Sequence, residues 1–165
     1  QPEVGNHNGG LSLLLTGTGD GSFTAMWPDD SGLIVPGDAT AMTTTDLDGD
    51  GWPDFVVANN NGPLQAFEHS GNTQNRVIQV RLQGIPGNPT GIGARVTLEL
   101  DDHASQTAEL YAGGGYLSQS SSALVFGLGQ SSENARISVV WPDGKTASES
   151  VSPDVQLLTI KQPSG

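Results

Sequence analysis

Asp46-Leu47-Asp48-Gly49-Asp50-Gly51-Trp52-Pro53-Asp54 sets four carboxylates at alternating or near-alternating positions around two glycines that let the backbone coil tightly. Such a loop suits a hard cation. Ca²⁺ takes several oxygen ligands at once, and a D-x-D-x-D-G turn offers carboxylates at loop positions one, three and five and a backbone carbonyl at seven. Here those are Asp46, Asp48, Asp50 and the carbonyl of Trp52, with Asp54 supplying a further carboxylate at position nine. An EF-hand would close with a glutamate at position twelve. That position is Val57, and the β-branched run Thr43-Thr44-Thr45 does not read as an entering helix. The early carboxylate of Asp54 instead suits a loop between two β-strands. The alternative is a solvated acidic turn holding no ion. Carboxylates ~4 Å apart repel by roughly 4 kcal/mol per pair at an effective dielectric near 20, which favours the cation.

Outward from the loop, residues 39–45 alternate into it and Phe55-Val56-Val57-Ala58 leaves it, both as strands. Upstream, Leu11-Ser12-Leu13-Leu14-Leu15-Thr16 reads as a buried strand. An Asp20-Gly21 step then leads into a second strand over residues 22–27, forming a hairpin. Residues 28–38 form a Pro/Asp/Gly loop, and no convincing helix is legible anywhere in the chain. Downstream, Asn59-Asn60-Asn61-Gly62-Pro63 turns the chain into a strand over 64–68. Its amide oxygens are candidate ligands, but a turn tolerating left-handed backbone explains them better.

The chain has 165 residues, 35% of them hydrophobic, enough for one ordinary domain or two small ones with a modest core. Its 23 glycines and 10 prolines, scattered among Val/Leu/Ile runs, indicate short strands and turns. A net charge of −12 argues against nucleic acid or an anionic membrane surface as partner and leaves cations as the natural counterpart. With no cysteine, disulfides and thiolate metal sites are excluded. A calcium loop of modest affinity is occupied where free Ca²⁺ is plentiful, so a secreted, cell-surface or periplasmic location is expected. No leader or membrane-spanning stretch is legible, no Asn-x-Ser/Thr acceptor occurs, and the opening Gln1-Pro2-Glu3 reads as a processed or excised segment.

The polar stretch Ser70-Gly71-Asn72-Thr73 marks a boundary between domains 1–72 and 73–165. Beyond it, residues 76–82 alternate as a half-buried strand, with Ile78, Val80 and Leu82 inward and Gln79 and Arg81 outward. Residues 94–100, 107–112, 123–126, 135–141, 145–151 and 155–161 supply further strands, with Trp141-Pro142-Asp143-Gly144 as a tight turn. Evenly spaced antiparallel strands imply a β-sandwich or small barrel.

Two resemblances sharpen this. Gly19-Asp20-Gly21-Ser22-Phe23-Thr24, Ser31-Gly32-Leu33 and residues 46–59 resemble one FG-GAP/VCBS-type calcium repeat of integrin-like β-propellers. The resemblance implies a loop between the first two strands of a blade, with Asp46, Asp48, Asp50, the Trp52 carbonyl and Asp54 as ligands. One such loop implies a partial propeller rather than a closed ring. In the second half, Val80-Arg81-Leu82-Gln83-Gly84, Gly91-Ile92-Gly93-Ala94-Arg95-Val96, Gly115-Tyr116-Leu117-Ser118-Gln119-Ser120, Phe126-Gly127-Leu128-Gly129 and Val140-Trp141-Pro142-Asp143-Gly144 resemble the ASPIC/UnbV domain. That domain follows FG-GAP-type repeats in bacterial secreted proteins and in the animal cartilage acidic protein family. The latter ends in a cysteine-dependent EGF-like module, so a cysteine-free chain resembles the bacterial type. The resemblance implies architecture and no established chemistry.

Other motifs carry less. Asp101-Asp102-His103 reads as a solvated turn before it reads as a metal site, and His7, His69 and His103 lack zinc spacing. Residues 115–122 lack the G-x-S-x-G elbow of a serine nucleophile, and Gly91-Ile92-Gly93 opens no helix that would cradle a phosphate. Arg95 is a candidate ligand for a carboxylate, though pairing with an acid of the fold explains it better. The three Trp-Pro-Asp steps suit turns and core packing rather than a sugar-stacking platform.

Together these features imply an all-β chain: a partial propeller-like blade sheet plus an antiparallel sandwich or small barrel. Its expected role is that of a non-catalytic, calcium-binding extracellular module for adhesion or recognition of a protein or glycan. An accessory module of a larger secreted hydrolase and a structural spacer are the alternatives. The apolar positions Leu13 and Leu15, or Val56 and Ala58, require cover. The 76–161 half is the favoured source, with another copy of the chain or further blades of a longer parent as alternatives.

Overall fold

A computed structural model describes residues 10–71, 74–100, 104–130 and 134–164. Apart from one helical turn, α1 (Pro28–Ser31), its regular elements are strands. Pro28 begins that turn inside the loop expected over 28–38, and Gly32 closes it with φ of 71° and an amide bonded to the Pro28 carbonyl.

The first half contains two small antiparallel sheets. β1 (Leu14–Gly17) and β2 (Phe23–Met26) form the hairpin expected at the Asp-Gly step. The Asp20 carboxylate accepts from the Thr18 hydroxyl at 2.6 Å and the Ser22 amide at 2.9 Å, which ties the turn. β3 (Ala39–Thr45), β4 (Asp54–Asn59) and β5 (Gln65–Phe67) form a three-stranded blade in that order. The acidic loop joins β3 to β4, as the repeat resemblance implies. The asparagine run is a turn: Asn61 takes a left-handed φ of 54°, and the Asn59 side chain donates through Nδ2 to Gln65 Oε1 at 2.8 Å.

Leu33, Val35 and Val57 are the buried centre of this half, with Leu14, Phe55 and Phe67 packed against them. Leu14 packs against this centre, whereas Leu13 and Leu15, positions expected to require cover, stand 44% and 55% exposed. In a run of leucines, polarity cannot say which parity faces the core. Val56 and Ala58 are half-buried and share a shallow cleft with Leu117 and Gln119 of the second half.

The second half is a sandwich of two sheets over one core. One sheet runs β11 (Thr146–Val151), β10 (Ala135–Val140), β7 (Arg95–Glu99) and β8 (Ser105–Glu109). The other runs β12 (Leu157–Lys161), β6 (Arg76–Gln83) and β9 (Leu124–Gly129). Ile78 and Val80 from β6, Val96 and Leu98 from β7, and Ile137 and Val139 from β10 are almost wholly buried between them. Among the described residues no sheet closes into a barrel. The sandwich is also not purely antiparallel, since β12 pairs with β6 in parallel, Leu158 opposite Val80. The domain boundary at residues 72–73 and the Asp101-Asp102-His103 turn lie outside the described residues.

The Gly91-Ile92-Gly93 motif has a packing role. A Cβ on Gly91 would lie 2.8 Å from the ring of buried Trp141 and 3.1 Å from Leu82, at a φ of 74° that disfavours side chains. Gly144, in the β10–β11 turn, has φ of 83° but open space around it. Gly91→Ala is therefore expected to cost about 2–4 kcal/mol, overpacking plus strain, and Gly144→Ala only about 1 kcal/mol. Urea unfolding midpoints measure both, and equal shifts would contradict the close packing at Trp141.

Candidate metal centre

The loop is wound by its own carboxylates. Asp46 accepts from the Gly49 amide through Oδ1 at 2.7 Å and from the Gly51 amide through Oδ2 at 3.1 Å. Asp48 accepts from the Asp50 amide at 3.1 Å, and Asp50 from the Trp52 amide at 2.8 Å. These tight turns need left-handed backbone, which Gly49 and Gly51 supply with φ of 82° and 89°. Asp46, Asp48 and Asp50 each bring an oxygen to within 4.8 Å of the others.

Asp54 is placed differently. It is 1% exposed, and its two oxygens accept from the amides of Leu47 at 2.7 Å and His69 at 2.8 Å. It therefore clamps the start of the loop to the segment after β5 and is not part of the three-carboxylate group. The Trp52 ring stacks on His69, centroids 4.3 Å apart and planes within 8°, reinforcing the clamp.

The donor set fits a hard divalent cation: oxygen atoms only, from three carboxylates brought together. The ion pairs Arg95–Glu109 and Lys145–Asp143 lie in the other half, so neither neutralises the loop.

One contact to Asp46 was not legible in the sequence. Gln79, on the outward face of β6, is only 5% exposed and donates through Nε2 to Asp46 Oδ2 at 2.6 Å. Beside it, the Thr43 hydroxyl donates to the Gln119 carbonyl at 2.7 Å. The Thr44 amide donates to the Ser120 hydroxyl at 3.2 Å, and the Ser121 amide to the Thr44 carbonyl at 2.9 Å. The serine-rich stretch thus lies along the edge of β3 as a docking strip. A cleft of about 200 Å³ opens between the halves, lined in part by Thr45, Asp46, Trp52, Gln79, Arg81 and Ser121.

Arg95 pairs with an acid of the fold, its Nε and Nη2 donating to Glu109 Oε1 at 2.9 and 2.6 Å across the β7–β8 ladder. Trp141 is core, and Trp27 stands 67% exposed at the start of α1. His7 and His103 lie outside the described residues.

Strand pairing and loop geometry define a blade-like three-stranded sheet, carrying an acidic loop, joined to a β-sandwich. Residues 4–57 and 46–96 each match the FG-GAP-like repeat family, and residues 84–165 match the ASPIC and UnbV family. The chain belongs to the proteins that join FG-GAP-like repeats to an ASPIC/UnbV domain. It is 31% identical over 139 residues to cartilage acidic protein 1 of Mus musculus, covering 81% of this chain and 21% of that protein. Against the Homo sapiens protein the identity is 30% over 139 residues, with 81% and 20% covered. Against that of Xenopus tropicalis it is 32% over 131 residues, with 72% and 20% covered. The chain thus spans about a fifth of the length of the curated relatives it matches.

The Tyr111 hydroxyl, and after it the Arg95 guanidinium, hold the Glu109 carboxyl below its ordinary pKa. Because the folded value lies below the unfolded one, their contribution is fully present above the unfolded pKa. It is lost as pH falls through the folded one. Tyr111→Phe is expected to move the Glu109 titration upward in a carboxyl-carbon NMR experiment, whereas an unchanged midpoint would contradict the bond.

Proposed function

We propose that this chain is a calcium-binding, non-catalytic extracellular module that recognises a protein or glycan. The observation that supports it most is the convergence of Asp46, Asp48 and Asp50, which form no ion pair with a basic side chain among the described residues, on a loop of the repeat family known for such sites. The Trp52 carbonyl would add a neutral ligand. Asp54 would join through the lone pairs its two amide bonds leave free, each carboxylate oxygen having two. The bound ion supplies positive charge that offsets the repulsion among the carboxylates. Secretion or surface display follows from the availability of Ca²⁺ there. Among the described residues no helix is long and apolar enough to cross a membrane. The exposed Leu13 and Leu15 are where further blades of a longer parent chain, or a second copy, would pack.

Millimolar Ca²⁺ is expected to raise the melting temperature over that in chelator. A dissociation constant of about 10 µM would correspond to roughly 2.7 kcal/mol at 1 mM Ca²⁺. Asp48→Ala should remove most of the gain, and Mg²⁺ should substitute poorly because it demands octahedral geometry and gives up water reluctantly. Coincident melting curves in calcium and chelator would refute the calcium site. For recognition, a protein and glycan array probed with and without Ca²⁺ should show calcium-dependent binding. Binding to nothing would favour a spacer, and turnover of a polysaccharide would favour a hydrolase.

A further inference from the structure

We propose that Gln79 is a positioning residue through which calcium occupancy of the loop and docking of the blade onto the sandwich are coupled. This rests on the calcium reading above. Gln79 sits on β6, the middle strand of its sheet, paired with Leu157 on one side and Val125 on the other, and its amide donates to the Gln156 carbonyl at 2.8 Å. Its backbone is thereby fixed to the sandwich. Its side chain belongs to the other half: Nε2 reaches Asp46 Oδ2, the oxygen that also accepts the Gly51 amide. One carboxylate of the cation cluster is thus oriented jointly by its own loop and by the second half. The Thr43 bond to Gln119 and the Thr44 bonds to Ser120 and Ser121 lie two to three residues before Asp46 and belong to the same joint.

The residue type matters. Lysine or arginine here would bring a permanent positive charge to Asp46 and compete with a bound ion. A glutamine amide donates a hydrogen bond, fixes the direction of the carboxylate and leaves its charge for the cation. Donors that orient ligating carboxylates govern metal affinity strongly. By linkage, if docking through Gln79 favours the ion-ready orientation of Asp46, ion binding favours docking by the same factor. Occupancy of the loop would then set how firmly the two halves hold together.

The test uses the whole chain, with Ca²⁺ or chelator as the only variable, and two readouts: the calorimetric Ca²⁺ dissociation constant and amide hydrogen exchange. The Ser121 amide, bonded to Thr44, reports the joint, and the Gly51 amide, bonded to Asp46, reports the loop. In the wild type, Ca²⁺ should slow exchange at both. Gln79→Met should weaken Ca²⁺ binding about 10-fold and make Ser121 insensitive to Ca²⁺ while Gly51 still responds. Gln79→Lys should protect Ser121 with or without Ca²⁺, because the ammonium holds Asp46, and should lower Ca²⁺ affinity. A role in packing alone would not produce that calcium-independent protection, and Gln79→Lys also carries the test if Gln79→Met folds poorly. If the wild type binds Ca²⁺ but both variants match it in affinity and in Ser121 response, the coupling is wrong and the calcium reading stands. If the wild type binds none, both fall.

Discussion

Three carboxylates confined within 4.8 Å of one another are the constraint on which the first half of this chain depends. At that spacing each pair repels by roughly 3–4 kcal/mol at an effective dielectric near 20, comparable to the stability a small sheet can muster. The loop partly counters this by winding each carboxylate onto backbone amides, which lend partial positive charge. A bound Ca²⁺ would complete the compensation. The loop also sets the start of β4 opposite the end of β3, and through Asp54 and the Trp52–His69 stack it reaches the segment after β5.

The second half has no such requirement. Its two sheets enclose Ile78, Val80, Leu98, Phe126, Ile137, Trp141 and Ile160 in a continuous apolar core, which the hydrophobic effect alone can hold. The blade core is small by comparison, centred on Leu33, Val35 and Val57. The joint at Gln79, Thr43 and Thr44 therefore ties a sheet with little core of its own to a sandwich with a much larger one. Gln119, Ser120 and Ser121, in the serine-rich stretch, serve that joint by presenting hydrogen-bonding groups to an open strand edge.

What the sequence disclosed follows from what is local. Alternation in residues 76–82 named Ile78, Val80 and Leu82 as the core face of β6, because period-two burial is written in adjacent residues. The acidic loop and the asparagine turn were legible for the same reason. Three features were not. The parallel pairing of β12 with β6 depends on how a long stretch of chain returns, and no residue in either strand encodes it. The run of leucines at 13–15 offers both parities equally, so Leu14 rather than its neighbours packs inward. Gln79 occupies an ordinary outward position; only its distant partner Asp46 makes it a buried, hydrogen-bonded side chain.

Trp52, stacked on His69 beside the acidic loop, offers a direct probe of calcium binding there. Tb³⁺ occupies oxygen-rich calcium sites and luminesces when a nearby indole transfers energy to it. Titrating the chain with Tb³⁺ should give tryptophan-sensitised emission that saturates, is displaced by Ca²⁺ and is lost in the Trp52→Leu variant. Emission that never saturates, or that Ca²⁺ leaves unchanged, would contradict the calcium site.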